Sequence, residues 1–124
     1  MFTPTRGSHT SRAMTERRRR RRQLRVLLVD DSPEFLDAAE RFLKAEEGIT
    51  LVGRARSGEE SLGMVAALAP DLVLMDLVMP GIGGLKATRY IKAVRPAPRV
   101  VILTLHDHLP SEMVYERELL ICRL

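Results

Sequence analysis

The chain has 124 residues, of which 45% are hydrophobic and 29% charged, so it can form one modest domain, and the absence of Trp makes its core aliphatic. A single cysteine, Cys122, excludes an intrachain disulfide and a cysteine-based zinc site. No apolar run approaches the roughly 18 residues that a membrane span needs, and the VLLV run after the arginines is too short for an export signal, so we expect a cytoplasmic protein without a membrane span.

Positive charge is concentrated in the first 25 residues, which contain nine arginines and one glutamate. Residues 26–124 contain eleven lysines and arginines against fifteen acids, so the net charge of +4 reflects a basic tail on an acidic body. Residues 1–22 are polar and aperiodic, which predicts a disordered tail. Its Arg17–Arg22 run predicts at most non-specific binding to nucleic acid. The alternatives are a tail that only keeps the chain soluble, or translation that starts at Met14.

From Leu24 onward, strand and helix patterns alternate. LRVLLV predicts a strand buried on both faces, and Ser32 and Pro33 are typical of the start of a helix that ends at Gly48. We expect the buried face of this helix to contain Phe35, Ala38, Ala39, Phe42 and Leu43.

The same alternation continues to the end of the chain. Ser57 and Glu60 have the spacing of a capping box at the start of the second helix, and Pro96 and Pro98 follow the third. The later segments are predicted as strand ITLVGRA, helix SGEESLGMVAALAP, strand DLVLMD, helix LKATRYIKAVR, strand RVVILTL and helix LPSEMVYERELL. Repeated strand–helix units predict an α/β fold, a doubly wound parallel sheet with right-handed crossovers.

Polar residues follow the predicted strands where ligands bind in such sheets, beyond the carboxyl ends. Asp30 and Asp31 follow the first strand, Asp76 ends the third and Thr104 follows the fourth. Neighbouring strands are about 4.8 Å apart, and two carboxylates about 4 Å apart repel by roughly 4 kcal/mol at an effective dielectric near 20. A shared proton or a cation relieves that repulsion, and Mg²⁺ suits hard oxygen ligands. The pattern therefore favours Asp76 as a nucleophile for a phosphoryl group, with the Thr104 hydroxyl nearby; the alternative is that these aspartates only form turns.

Three segments, VLLVDDSPEF, PDLVLMDLVMPGIGGL and PRVVILTLHD, at these separations resemble the receiver (response regulatory) domain of bacterial two-component response regulators, of the NarL/LuxR type. The resemblance implies a flavodoxin-like receiver domain over residues 24–124, derived from a DNA-binding transcription regulator. It also implies a signalling phosphoacceptor rather than an enzyme, with at most self-phosphorylation and self-dephosphorylation.

The resemblance also implies a role for each matching residue. Asp76 is the expected phosphoacceptor, which receives a phosphoryl group from a histidine kinase. Mg²⁺ is expected to bind Asp31, Asp30, Asp76 and the backbone carbonyl of Val78, and Thr104 is the expected switch hydroxyl. Gly83 stands where the family often has Asp or Asn, which implies a weaker cap for the following helix.

The sequence departs from the receiver pattern after the fourth strand. It has no lysine after Lys92, so the family's catalytic lysine is not found, and a C-terminal truncation that removes the fifth strand and helix is expected. Loss of that strand predicts that RVVILTL is an edge open to self-association, there or through the fourth helix. A second hypothesis makes residues 119–124 a replacement strand with Arg123 as the only nearby cation. The alternative function is a pseudo-receiver, or a fragment that binds partners without phosphorylation.

Overall fold

The computed structural model describes residues 23–104 and 119–123. Its strands and helices alternate over the first of these ranges, and one further strand lies in the second. The elements are β1 (Leu24–Val29), α1 (Pro33–Lys44), β2 (Ile49–Ala55), α2 (Gly58–Leu68), β3 (Leu72–Asp76), α3 (Gly83–Lys92), β4 (Arg99–Thr104) and β5 (Leu119–Arg123). No helix within the described residues is long and apolar enough to cross a membrane.

The five strands form one parallel sheet in the order β2-β1-β3-β4-β5. The order changes direction at β1, so the chain winds first one way and then the other, as in the flavodoxin-like receiver fold. The predicted doubly wound α/β fold is therefore confirmed. The carboxyl ends of β1, β3 and β4 meet at one edge of the sheet.

The strand β5 corrects two predictions and supports a third. Leu119–Arg123 pair in parallel with Val100–Thr104, so a replacement fifth strand forms. The prediction that the fourth strand is an open edge is wrong because β5 takes up the hydrogen-bonding groups on that side, and self-association through β4 loses its basis. The predicted helix LPSEMVYERELL is wrong at its last two residues, which belong to β5. Its other residues, and the predicted tail over 1–22, lie outside the described residues.

The main core lies between the sheet and the pair of helices α2 and α3. Leu27 and Val29 of β1 contribute to it from the sheet, and Val65 and Ile91 from the two helices, all of them at most 4% exposed. Val26 and Leu28 alternate with the first pair and point to the opposite face, where α1 packs. That face is covered less completely, since Leu72, Leu74, Val101 and Leu103 are only half-buried.

The start of α1 confirms its predicted cap, but its predicted buried face is partly wrong. The Ser32 hydroxyl accepts a hydrogen bond from the Phe35 N–H at 3.2 Å. Leu36 and Leu43 are the buried residues of α1, whereas Phe42 is 68% exposed and Ala38 is also exposed. At 3.6 residues per turn, seven residues complete almost two turns, so Leu36 lies directly in line with Leu43 and nearly opposite Ala38.

The start of α2 has the predicted Ser57 cap, while the return bond to Glu60 comes from the residue before Ser57 rather than from Ser57 itself. The Ser57 hydroxyl accepts a hydrogen bond from the Glu60 N–H at 3.0 Å, and the Glu60 carboxylate accepts one from the Arg56 N–H at 3.2 Å. This cap fixes the direction in which α2 leaves the carboxyl edge of β2, next to the strand ends that carry the aspartates.

Candidate functional site

Three aspartates converge at the carboxyl edge of the sheet. Asp30 follows the last residue of β1, Asp76 is the last residue of β3, and the residues just before them, Val29 and Met75, are paired in register. One carboxylate oxygen from each of Asp30, Asp31 and Asp76 lies within 4.8 Å of the others. The sequence-based expectation that strand order brings these carboxylates together therefore agrees with the geometry.

Asp30 is the most enclosed of the three, with 8% of its surface exposed. Its backbone N–H donates to the Ala55 carbonyl at 3.0 Å, which extends the β1–β2 pairing by one residue. Its Oδ1 accepts a hydrogen bond from the Ser32 N–H at 2.8 Å. Burial raises the pKa of Asp30, the bond from Ser32 opposes the rise, and the charge of Asp31 adds to it.

Asp76 is half-buried, and its carboxyl group is strongly perturbed. Burial and then the charge of Asp30 raise the pKa of Asp76 to about 6, and the charge of Asp31 adds to the rise. The backbone N–H groups of Val78 and Leu77 oppose it. The Val78 N–H lies 3.3 Å from Asp76 Oδ1. An ionised Asp76 is therefore poorly compensated by the chain's own groups, which suits it to a cation or to an electrophile.

The loop after Asp76 is held close to that residue by the start of α3. A Cβ atom at Gly84 would collide with the Asp76 backbone carbonyl, so the first turn of α3 lies directly against the backbone of Asp76. The Gly84 N–H donates to the Leu77 carbonyl at 3.1 Å. Met79 is 7% exposed and belongs to the main core, whereas Val78 is 59% exposed. The loop thus keeps Asp76 at the strand end and presents Val78 outward.

The other predicted site residues are placed by their backbones. Thr104 is the last residue of β4 and follows Leu103, which pairs with Asp76, so it belongs to the same sheet edge. Arg123 is paired in backbone register with Thr104. The Val78 carbonyl as a metal ligand, the switch role of Thr104 and the absence of a catalytic lysine remain predictions. Sequence reasoning missed Glu59, whose carboxylate contacts the loop after Asp76; no local pattern points to it, because its partner is 23 residues away.

The donor set fits a magnesium ion. All three side chains offer carboxylate oxygens, the hard ligands that Mg²⁺ prefers, and the raised pKa values of Asp30 and Asp76 indicate that their negative charges are under-compensated. The exposure of Asp31 leaves this side of the cluster open to water. Since Mg²⁺ usually keeps several waters in its coordination shell, an open cluster of a few carboxylates is a suitable site.

Comparison with known proteins agrees with this architecture. Residues 26–116 match the family described as the response regulator receiver domain. The response regulator GacA of Pseudomonas viridiflava is 46% identical over 93 residues, which cover 73% of this chain and 44% of the relative. The chain thus spans less than half the length of that curated relative.

Two solved structures share the fold. The signal receiver domain of the regulator NarL from Mycobacterium tuberculosis has a TM-score of 0.69 and 28% identity, over 80% of this chain and 83% of that one. The isolated REC domain of RcsB from Salmonella enterica serovar Typhimurium, solved with the phosphomimetic BeF3-, has a TM-score of 0.64 and 25% identity, over 69% and 64%. With the family match covering most of its length, this chain belongs to the response regulator receiver domain family of two-component systems.

Proposed function

We propose that this chain is a phosphoacceptor switch in which Asp76 receives a phosphoryl group from a histidine kinase. A carboxylate oxygen of Asp76 attacks phosphorus, the phosphorus–nitrogen bond to the kinase histidine breaks, and the imidazole leaves with its electron pair. The product is an acyl phosphate on Asp76. Receiver domains act with histidine kinases as signalling partners, and the family is generally not enzymatic, so the reaction is one transfer for each signal.

The observation that carries this proposal is the position and charge of Asp76. It ends the central strand β3, between the ends of β1 and β4, and its pKa is raised to about 6 by burial and by Asp30. At neutral pH most molecules therefore carry an ionised, under-compensated carboxylate that is accessible at the sheet edge. The Asp76 carboxylate therefore has few hydrogen bonds within the chain to lose when it attacks a phosphoryl donor.

We further propose that Asp30, Asp31, Asp76 and the Val78 carbonyl hold Mg²⁺, which when bound neutralises charge on the phosphoryl oxygens. Asp30 is fixed for this role by the Ser32 N–H at 2.8 Å. Asp31 is exposed and supplies its oxygen from the solvent side. The Thr104 hydroxyl is the proposed switch group, because its residue ends the strand next to Asp76.

Beryllofluoride, a phosphoryl analogue, tests the proposal directly. With Mg²⁺ it should raise the melting temperature of the wild-type chain and do so much less in Asp76→Asn. Glu47→Gln, an exposed carboxylate on the turn before β2, is the matched control and should respond like wild type. A wild-type chain that does not respond would instead support the second candidate, a pseudo-receiver that binds partners without phosphorylation.

The basic tail has its own test. We propose that any binding to nucleic acid comes only from Arg17–Arg22, is insensitive to base sequence and weakens steeply with salt. Deletion of residues 1–22 should abolish binding to double-stranded DNA at low salt. If binding persists after the deletion, the tail is not its source.

A further inference from the structure

The Glu59 carboxylate joins the start of α2 to the end of the loop that follows Asp76. Its Oε1 accepts a hydrogen bond from the backbone N–H of Ile82 at 2.8 Å. Ile82 is the residue that precedes α3, and no side chain of that helix caps it. The sequence had indicated a weak cap here, since Gly83 offers no acceptor. Glu59 does not replace that cap, because it accepts from the residue before the helix, but it places an acceptor from another helix at this junction.

Two glycines make this contact possible. A Cβ atom on Gly81, whose φ is +85°, would lie 2.5 Å from Glu59 Oε1, so only glycine leaves space for the carboxylate. A Cβ atom on Gly58 would lie 2.8 Å from an Ile82 side-chain carbon, so the starts of α2 and α3 are in close contact. The carboxylate therefore lies beside two helix N-termini, where negative charge is stabilised. The bond from Ile82 lowers the pKa of Glu59, in agreement with this position.

We infer that Glu59 is a positioning residue that holds the far end of the acceptor loop, residues 77–82. The near end is held by the contact between Gly84 and the Asp76 carbonyl and by the Leu77 N–H, which donates to the Leu103 carbonyl at 3.3 Å. Glu59 holds the end at Ile82. Between the two lies Val78, whose N–H contacts the Asp76 carboxylate and whose carbonyl is the proposed metal ligand.

The effect on Mg²⁺ rests on the proposed function, whereas the hydrogen bond itself does not. A loop fixed at both ends presents the Val78 carbonyl in one position, so the ion meets a preformed site. Groups bonded directly to a metal ligand contribute about 10- to 100-fold in metal affinity, and because Glu59 acts through the loop rather than on Val78 itself, we expect the low end, about tenfold. Glu59→Ala should therefore weaken Mg²⁺ binding by about that factor without removing any of the three aspartates.

A set of three variants separates the hydrogen bond from the charge. Glu59→Ala removes both, Glu59→Gln keeps an acceptor oxygen but no charge, and Glu46→Ala removes an exposed carboxylate elsewhere. Amide hydrogen exchange at Ile82 reports the bond, and a Mg²⁺ titration reports the site. We expect faster Ile82 exchange and weaker Mg²⁺ binding in Glu59→Ala, near wild-type behaviour in Glu59→Gln, and no change in Glu46→Ala.

The remaining outcomes are each decisive. If Glu59→Gln loses as much Mg²⁺ affinity as Glu59→Ala while Ile82 stays protected, charge alone acts and the inference is overturned. If Ile82 exchange is unchanged in Glu59→Ala, it is also overturned, whatever the metal does. If the wild-type chain binds no Mg²⁺ but Ile82 protection depends on Glu59, the positioning contact stands and the proposed function fails. Exchange at Leu27, in the centre of the sheet, checks that every variant is folded.

Discussion

Asp30 lies beside Asp76 at the ends of two paired strands, where burial and then the negative charge of Asp30 raise the pKa of Asp76 to about 6. The two residues are 46 positions apart in sequence and have no direct bond to relieve the repulsion. The fold thus stores an unfavourable charge arrangement at one edge of an otherwise aliphatic sheet. Such an arrangement is costly for stability and useful for binding a cation or a phosphoryl group.

The pH dependence of stability should reveal this arrangement. The pKa of Asp76 is about 6 in the folded chain against an ordinary value of 3.8, so between these values the folded state binds more protons than the unfolded state. The free energy of unfolding should therefore fall as pH rises from about 4 to above 6, by about 1–2 kcal/mol after allowance for solvent screening. Denaturant unfolding without divalent cations measures this, and Asp76→Asn should flatten the profile. An unchanged profile in Asp76→Asn would contradict the assignment, and Glu47→Gln should keep the wild-type slope.

Magnesium should stabilise the folded chain and do so through the three aspartates together. Because the three carboxylates come together only in the folded chain, an ion that needs all three should raise the melting temperature as its concentration rises. Asp31→Asn should reduce this rise without much effect on stability in the absence of the ion, since Asp31 is exposed. Differential scanning fluorimetry over a Mg²⁺ series measures both. Equal responses of wild type and Asp31→Asn would remove Asp31 from the ligand set.

Two glycines give a matched test of the contact behind Asp76. Gly84→Ala should destabilise the chain by about 1–3 kcal/mol, because the new Cβ collides with a backbone carbonyl that cannot move aside by rotation. Gly63→Ala, within α2, meets no atom within 4 Å and should stabilise the chain by about 0.5–1 kcal/mol. Urea unfolding of both variants measures the contrast. Equal stabilities would mean that α3 does not lie against Asp76.

The corrected face of α1 predicts a large loss of stability at one apolar residue and a small loss at another. Leu36→Ala should cost about 2–5 kcal/mol, because Leu36 is fully buried beneath the helix. Phe42→Ala removes a larger side chain, yet it should cost much less, since Phe42 is 68% exposed. Urea unfolding distinguishes the two, and a greater loss in Phe42→Ala would favour the face expected from the sequence.

Arg123 offers a test of the replacement strand. Its backbone pairs with Thr104 at the site edge, and no lysine follows Lys92 in the sequence. If the proposed transfer to Asp76 uses this residue as its cation, Arg123→Ala should slow phosphorylation by a small-molecule phosphodonor about tenfold, whereas Arg123→Lys should retain most of the rate. Equal rates in all three proteins would exclude Arg123 from the reaction.

Features fixed by local spacing or by the alignment of parallel strands were predictable, and those that depend on how two helices approach each other were not. The Ser32 cap and the Ser57 cap join residues within one turn, so their spacing suffices. The aspartate cluster was also predictable, because parallel strands must align their carboxyl ends. The contact between Glu59 and Ile82 depends on how two helices approach each other, which no local spacing encodes.

The buried face of α1 shows the same limit within a single helix. Phe35, Leu36 and Phe42 are all apolar, and helical periodicity alone permits more than one stripe through them. The rotation that is observed places Leu36 against the sheet and leaves Phe42 outside. That choice depends on the direction in which the chain leaves the end of β1, a property of the whole fold rather than of the helix.

The contact between Gly84 and the Asp76 carbonyl has a mechanical consequence. Neither partner belongs to a flexible side chain, so a displacement of the Asp76 backbone cannot be absorbed locally and must move the first turn of α3. The ten residues of α3 form a stiff rod about 15 Å long. A shift of the Asp76 backbone should therefore be passed directly to α3, which packs against α2 and the sheet, with no intervening side chain that could rotate to absorb it.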